Sequence, residues 1–197
     1  GLYLALEYLE GQSMRTRMEQ SPLSLADVLR YGANIADALA AAHENAVLHR
    51  DLKPENVMLP KDGRLRVVDF GLAQRFEMDF DPEIAPPSID PGTIGSLLNH
   101  EVSDSMLSSH GEGTPAYMAP EQWHSQNNTT ATDMWALGVM LFEMTTGDLP
   151  FPSETVEALY FSVCVDAPPA LPTSIPEELR GLIKRCLSRE PKERPTA

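Results

Sequence analysis

The chain has 197 residues, of which 42% are hydrophobic, and this length and apolar content suit one globular domain with a sizeable core. Its formal net charge of -14 argues against nucleic acid as a partner, because binding to a duplex depends on lysine and arginine contacts to phosphates. The two cysteines form no CxxC pair, so they indicate neither a disulfide framework nor a zinc site, and a reducing, cytoplasmic location is expected.

A short strand, a loop and a long helix are predicted first along the chain. Tyr3 to Tyr8 is apolar and is predicted to be a strand. Gly11 to Pro22 is polar and is predicted to be a loop. Ser24 with Asp27 three residues later is a capping-box pattern, and apolar residues follow it at helical spacing. This pattern predicts a helix from about Leu25 to His43.

A hairpin and a long polar segment are predicted next. Val57–Leu59 and Leu65–Val68 are short β-rich runs, and Asp62-Gly63 between them is typical of a tight turn. From Phe76 to Gly113 the chain is rich in Pro, Ser, Gly and acidic residues with little apolar periodicity, which predicts a long, mobile loop. The wider stretch from Phe76 to Leu179 holds 17 Asp and Glu and no Lys or Arg. It is either a solvated acidic surface or a field that attracts basic peptides.

Three helices are predicted in the rest of the chain. Thr132 is predicted to cap a helix that ends at Gly147 and is apolar on most sides, which indicates burial. Ser153 to about Val163 and Pro176 to about Leu187 are predicted to be two further helices. The longest apolar runs are far shorter than the roughly 20 residues that span a bilayer, so no membrane segment is expected.

The residues suited to catalysis lie in three motifs. His49 to Asn56 reads His-Arg-Asp-Leu-Lys-Pro-Glu-Asn and lies between the long helix and the hairpin. Its Asp51 carboxylate and Asn56 amide are five residues apart on one loop, and phosphoryl transfer needs a carboxylate aimed at a hydroxyl and oxygen ligands for Mg²⁺. Asp69-Phe70-Gly71 follows the hairpin, and Gly113 to Glu121 ends in Ala-Pro-Glu.

These motifs, in this order, resemble the catalytic loop, the metal-binding segment and the peptide-binding segment of eukaryotic-type serine/threonine protein kinases. The residues of the last segment are most similar to those of bacterial eukaryotic-like kinases. The resemblance covers essentially the whole chain. It implies an α+β fold with a last N-terminal-lobe strand and hinge in residues 1–11 and a mainly α-helical C-terminal lobe with a small β-hairpin in residues 12–197. Residues 76–110 would be a long, acidic, disordered insertion in the activation loop.

The resemblance also implies which residues act on a protein substrate. Asp51 would accept or orient the proton of the substrate hydroxyl, and Lys53 would steady the transferred phosphoryl group and favour Ser/Thr over Tyr substrates. Thr114 would stand near both of them. Asn56 would complete the catalytic set as a metal ligand.

ATP and Mg²⁺ are the implied cofactors. Asn56 and Asp69 would bind Mg²⁺. The backbone of Glu7 and Leu9 would meet the edge of the adenine, and Met58 would lie beneath the base. The glycine-rich loop and the lysine that grip phosphates in this family would precede residue 1, so residues 1–197 alone are expected to bind ATP weakly and to be inactive.

Two structural roles are implied as well. Glu121 would form a buried ion pair with Arg194, and Asp133 would brace the backbone of the catalytic loop. The alternative to an enzyme is a pseudokinase or scaffold-type binding module, which has no chemical need for a base and two metal ligands. A small-molecule phosphotransferase is disfavoured by Lys53 and by the segment from Thr114 to Glu121, which suit a peptide substrate.

Overall fold

The computed structural model describes residues 7–70, 114–124 and 127–197, so the predicted loop from Phe76 to Gly113 and residues 3–6 of the predicted strand Tyr3 to Tyr8 lie outside the described residues. The described part is mostly helical with one small antiparallel sheet in the order β1-β2-β3, which confirms the α+β class. In chain order the elements are β1 (Gly11–Ser13), α1 (Met14–Gln20), α2 (Leu25–Glu44), β2 (Val57–Pro60), β3 (Arg66–Val67), α3 (Pro120–Trp123), α4 (Thr130–Thr146), α5 (Val156–Val165) and α6 (Glu177–Cys186).

The prediction of a loop from Gly11 to Pro22 is wrong, because this segment contains β1 and α1. The Ser13 side chain caps α1 by accepting a hydrogen bond from the Thr16 backbone N–H at 3.2 Å. Met14 is fully buried in the core, and β1 pairs with β2. Met14 and Met18 are the only apolar residues of this seven-residue helix, too few to predict it from periodicity, so tertiary contacts determine its structure.

Helix α2 and the hairpin agree with the sequence. Ser24 caps α2 by accepting from the Asp27 N–H at 3.1 Å, and its hydroxyl donates to the Asp27 carboxylate at 2.9 Å. This hydrogen bond from Ser24 lowers the pKa of Asp27. Strands β2 and β3 are antiparallel, with Val57 opposite Val67, and Gly63 in the turn has a φ of 79°, a left-handed conformation that glycine adopts without strain.

Helix α4 is the central buried element, and it ends at Gly147 (φ 85°) as predicted. Its predicted start at Thr132 is three residues late, since the N-cap is Thr129. Thr132 instead lies in the first turn, where its hydroxyl accepts from the Thr129 N–H at 3.1 Å and donates to Glu121 at 3.0 Å. None of the helices among residues 7–70, 114–124 and 127–197 has the length and apolar character needed to cross a membrane.

The two C-terminal helices are confirmed with small shifts in their bounds. Helix α5 begins after Ser153, because Thr155 caps it by accepting from the Ala158 N–H at 3.2 Å, and Pro176 is the N-cap of α6. Both cysteines are free thiols, and burial raises the pKa of Cys164 and of Cys186 to about 11. Both therefore stay protonated at neutral pH.

Gly138 permits the close approach of α4 to α6. A Cβ atom at this position would lie 2.6 Å from the Cys186 Cβ and 3.3 Å from its backbone carbonyl carbon. We expect Gly138→Ala to lower the free energy of unfolding by about 1 to 3 kcal/mol, because the two helices must move apart. Urea denaturation measures this change.

Gly181 in α6 is the matched control. It is exposed, and a Cβ there would meet nothing within 4 Å. Since alanine is the better helix former, Gly181→Ala should raise the free energy of unfolding by up to about 1 kcal/mol. Equal effects of the two substitutions would contradict the close-contact explanation for Gly138.

Candidate active site

Three of the predicted catalytic residues come together on the loop between α2 and β2. The Lys53 Nζ lies 3.0 Å from the Asp51 Oδ2. The Asn56 Nδ2 donates to the Asp51 backbone carbonyl at 2.8 Å and approaches the Asp51 Oδ2 at 3.3 Å. A carboxylate held between an ammonium and an amide can accept a proton beside a group that neutralises negative charge, which is the chemistry that transfer of an anionic group to a hydroxyl requires.

The backbone before Asp51 is held in an uncommon conformation. Arg50 has a φ of 69°, in the left-handed region that non-glycine residues rarely adopt. The buried Asp133 carboxylate accepts hydrogen bonds from the His49 N–H at 3.0 Å and the Arg50 N–H at 2.8 Å. His43 adds a third contact, with its Nε2 2.8 Å from the same carboxylate. The predicted bracing role of Asp133 is therefore confirmed, and these contacts stabilise a turn that would otherwise be strained.

The His49 ring connects this loop to the segment of Asp69. The Asp51 N–H donates to His49 Nδ1 at 3.3 Å, so Nδ1 is the acceptor and Nε2 carries the proton that it donates to the Val68 carbonyl at 3.0 Å. The same ring packs against Phe70 with 4.6 Å between centroids. Asp69, between these two contacts, is exposed and has a φ of 62°.

The other predicted site residues lie on three further segments of the chain. Glu7 is exposed and Leu9 half-buried, in a stretch without regular secondary structure that leads into β1. Met58 lies on β2 opposite Ser13, on the strand pair that directly follows Glu7 and Leu9 in the chain. Thr114 begins the short 3₁₀ turn Thr114–Tyr117, and its side chain lies outside what the structure describes.

Gln122 is a contact residue of the catalytic loop that the sequence analysis did not find. Its Oε1 accepts from the Ala119 N–H at 2.9 Å, and its Nε2 donates to the Arg50 carbonyl at 3.0 Å. It therefore joins α3 to the residue that precedes Asp51. Glutamine at the end of an Ala-Pro-Glu segment carries no local pattern that would reveal a contact 72 residues away in sequence.

Arg15 forms a second group of contacts that the sequence did not reveal. It lies 2.8 Å from Glu55, 2.6 Å from Glu143 and 2.5 Å from the Tyr117 hydroxyl, which itself donates to Glu143 at 2.5 Å. Burial, together with the Glu143 carboxylate, raises the pKa of Tyr117, so the phenol remains a donor. Burial alone would lower the pKa of Arg15, but its hydrogen bonds to Glu143 and Glu55 raise it. Arg15 thus ties α1 to the end of the catalytic loop and to α4.

The predicted buried ion pair between Glu121 and Arg194 is confirmed. Two parallel hydrogen bonds of 2.6 and 2.9 Å join the guanidinium to the carboxylate, and both side chains are almost completely buried. The pair fixes α3, and with it Gln122, against the C-terminal residues of the chain.

The sequence of this chain is similar to a known protein family and to several characterised proteins. A family model described as the protein kinase domain matches residues 1–197. The chain is 34% identical over 201 residues to the serine/threonine-protein kinase PkaA of Streptomyces coelicolor, covering 100% of this chain and 32% of the relative. It is also 34% identical over 197 residues to the 3-phosphoinositide-dependent protein kinase 1 of Arabidopsis thaliana, covering 100% of this chain and 37% of that relative.

A third relative, the serine/threonine-protein kinase AtPK2/AtPK19 of Arabidopsis thaliana, is 32% identical over 194 residues, covering 98% of this chain and 35% of the relative. This chain therefore spans about a third of the length of the curated relatives it matches. These relatives come from a bacterium and a plant, and all three are named as protein kinases.

Proposed function

The chain belongs to the protein kinase domain family, and we propose that the whole protein transfers the γ-phosphoryl group of ATP to serine or threonine hydroxyls of protein substrates. The observation that supports this function best is the arrangement of Asp51, Lys53 and Asn56, with a lysine 3.0 Å from the carboxylate and an amide that fixes the same loop. We place the last N-lobe strand and hinge in residues 1–11 and the C-lobe in residues 12–197.

In this proposal each residue of the loop has one role. Asp51 accepts or orients the proton of the substrate hydroxyl, while Lys53 stands beside the phosphoryl group in transfer and offsets its negative charge. We also propose that Thr114 helps to position the substrate. Because little covalent chemistry is required of the protein, positioning and charge provide most of the rate acceleration.

The residues present fit a magnesium ion bound together with ATP. The Asn56 nitrogen is directed at the Asp51 carbonyl, so Oδ1 is the atom through which Asn56 would bind a cation, and the exposed Asp69 supplies a carboxylate. Within the described ranges no three His, Cys, Asp or Glu side chains form a metal-binding group. One carboxylate and one amide are nevertheless enough, because Mg²⁺ is commonly completed by substrate phosphates and water. When bound, Mg²⁺ neutralises phosphate charge during transfer.

We also propose the location of the nucleotide and the nature of the substrate. The backbone of Glu7 and Leu9 meets the adenine edge, and Met58 lies beneath the base.

The preferred substrate is a basic peptide, because the stretch from Phe76 to Leu179 carries 17 acidic residues and no basic ones. Nucleic acid is not a partner at a net charge of -14, and the protein acts in the cytoplasm.

The test is transfer of labelled γ-phosphate from ATP-Mg²⁺ by the full-length protein to a panel of short peptides. We expect a serine peptide with basic flanks to be labelled, and its alanine and tyrosine counterparts to be labelled at least tenfold less. Basic flanks should also raise kcat/KM over acidic ones at low salt, and 0.5 M salt should reduce this preference, because salt screens exposed charges.

The outcomes separate the candidate functions. Binding of ATP without transfer to any peptide would support the pseudokinase alternative. Labelling of a small alcohol but of no peptide would support a small-molecule phosphotransferase. A preference for acidic flanks would contradict the proposed basic substrate while leaving the kinase activity in place.

A further inference from the structure

The peptide group between Arg50 and Asp51 is held on both sides by side chains. Its carbonyl oxygen accepts a hydrogen bond from Gln122 Nε2 at 3.0 Å, and its N–H, that of Asp51, donates to His49 Nδ1 at 3.3 Å. This is the peptide group that directly precedes the Asp51 side chain. Its orientation therefore affects the direction of the Asp51 Cα–Cβ bond, and with it the position of the carboxylate.

The orientation of the Gln122 amide follows from its two partners. The Ala119 N–H can only donate and the Arg50 carbonyl can only accept, so the oxygen of the amide faces Ala119 and the nitrogen faces Arg50. The two contacts thus have separate purposes. One caps the start of α3, and the other reaches the catalytic loop.

The conformation of Arg50 explains why the hydrogen bond from Gln122 Nε2 to the Arg50 carbonyl matters for the catalytic loop. With a φ of 69°, this residue is in a sparsely populated region that persists only where the surroundings hold it. Asp133 binds the N–H groups of His49 and Arg50 on one side of the turn, but neither of its contacts fixes the carbonyl of Arg50. Gln122 supplies that contact.

We propose that Gln122 is a positioning residue for Asp51, acting through the hydrogen bond from its Nε2 to the Arg50 carbonyl. This inference rests on the proposed kinase function. Gln122 touches neither substrate nor nucleotide in this role. It holds the peptide group whose rotation would move the Asp51 carboxylate away from the substrate hydroxyl, and a displacement of about 1 Å there is enough to slow the reaction greatly.

The experiment compares Gln122→Glu and Gln122→Met with the parent full-length protein. Glutamate keeps an oxygen for the Ala119 N–H but places a second oxygen, instead of an N–H group, against the Arg50 carbonyl. Methionine removes both contacts at similar length. We expect kcat to fall about tenfold in both variants, with the KM values for ATP and peptide within twofold of the parent, because the lost contact matters in the transition state. The methionine variant also loses the cap of α3, so it should unfold at a lower temperature than the parent.

Gln20→Glu is the matched control. It makes the same change at the exposed last residue of α1, where Gln20 donates to Gln12. It should leave kcat unchanged. An equal loss of kcat in Gln20→Glu would show that added negative charge, not the contact with Arg50, causes the effect, and would overturn the inference.

Hydrogen–deuterium exchange gives a readout that does not depend on activity. Amides in residues 47–53 should exchange faster in Gln122→Glu than in the parent, while the rest of the described helices should be unchanged. Unaltered exchange there, or an unaltered kcat, would overturn the positioning role. If the parent itself transfers no phosphate to any peptide, the proposed function fails, and the exchange measurement alone then decides whether Gln122 holds the loop.

Discussion

Asp51→Asn is expected to lower kcat for phosphorylation of a serine peptide by about a hundredfold or more in the full-length protein, because an amide cannot accept the proton of the attacking hydroxyl. The fold should persist. Asparagine has the shape of aspartate, and the backbone of the loop is held by Asp133 and by Asn56, which donates to the Asp51 carbonyl and not only to its carboxylate. Steady-state kinetics with near-UV circular dichroism measures both properties.

Asp69→Asn should reduce kcat to a similar extent for a different reason, since it removes the one carboxylate proposed to bind Mg²⁺. A higher Mg²⁺ concentration should restore part of the activity of Asp69→Asn but none of the activity of Asp51→Asn. Asp37→Asn is the control, because Asp37 is exposed on α2. If the activity of Asp51→Asn or of Asp69→Asn were within threefold of the parent, the role assigned to that residue would be wrong.

The sequence was sufficient to predict elements whose stability is local. Helix α2 has both a capping pattern at Ser24 and a helical apolar period, and α4 has an apolar run that ends at a glycine. The sequence therefore predicted that both segments are helical and approximately where each helix begins and ends. The start of α4 was misplaced because several threonines can cap a helix. The choice of Thr129 depends on Thr132 also reaching Glu121, a contact between elements that spacing does not reveal.

Contacts between distant elements are also the reason why some residues of the site were not predicted from the sequence. The three motifs predicted which residues of the loop come together, and the Lys53 and Asn56 side chains do lie 3.0 and 3.3 Å from the Asp51 carboxylate. Arg15 and Gln122 were missed because each acts through partners on distant elements. The positive φ of Arg50 was equally invisible, since arginine has no preference for the left-handed region and only its hydrogen-bonded surroundings stabilise it there.

The buried pair of Arg194 and Glu121 should dominate the stability of the C-terminal part of the chain. The guanidinium of Arg194 uses its five N–H donors on the Glu121 carboxylate and on three backbone carbonyls, and those carbonyls belong to Ala131, Ser188 and Arg189. It also lies 5.1 Å from the centre of the Trp135 ring. Removing one partner leaves the other as an uncompensated buried charge.

Arg194→Met and Glu121→Gln are therefore each expected to lower the free energy of unfolding by about 3 to 5 kcal/mol, as measured by urea denaturation. The double variant Glu121→Gln with Arg194→Met should cost less than the sum of the two single changes, because it leaves no buried charge behind. Arg30→Met is the control: Arg30 is an exposed residue paired with Asp27, and its loss should cost less than about 1 kcal/mol. Additive costs in the double variant would contradict the coupling, and would mean that the arginine stabilises the fold through its backbone contacts alone.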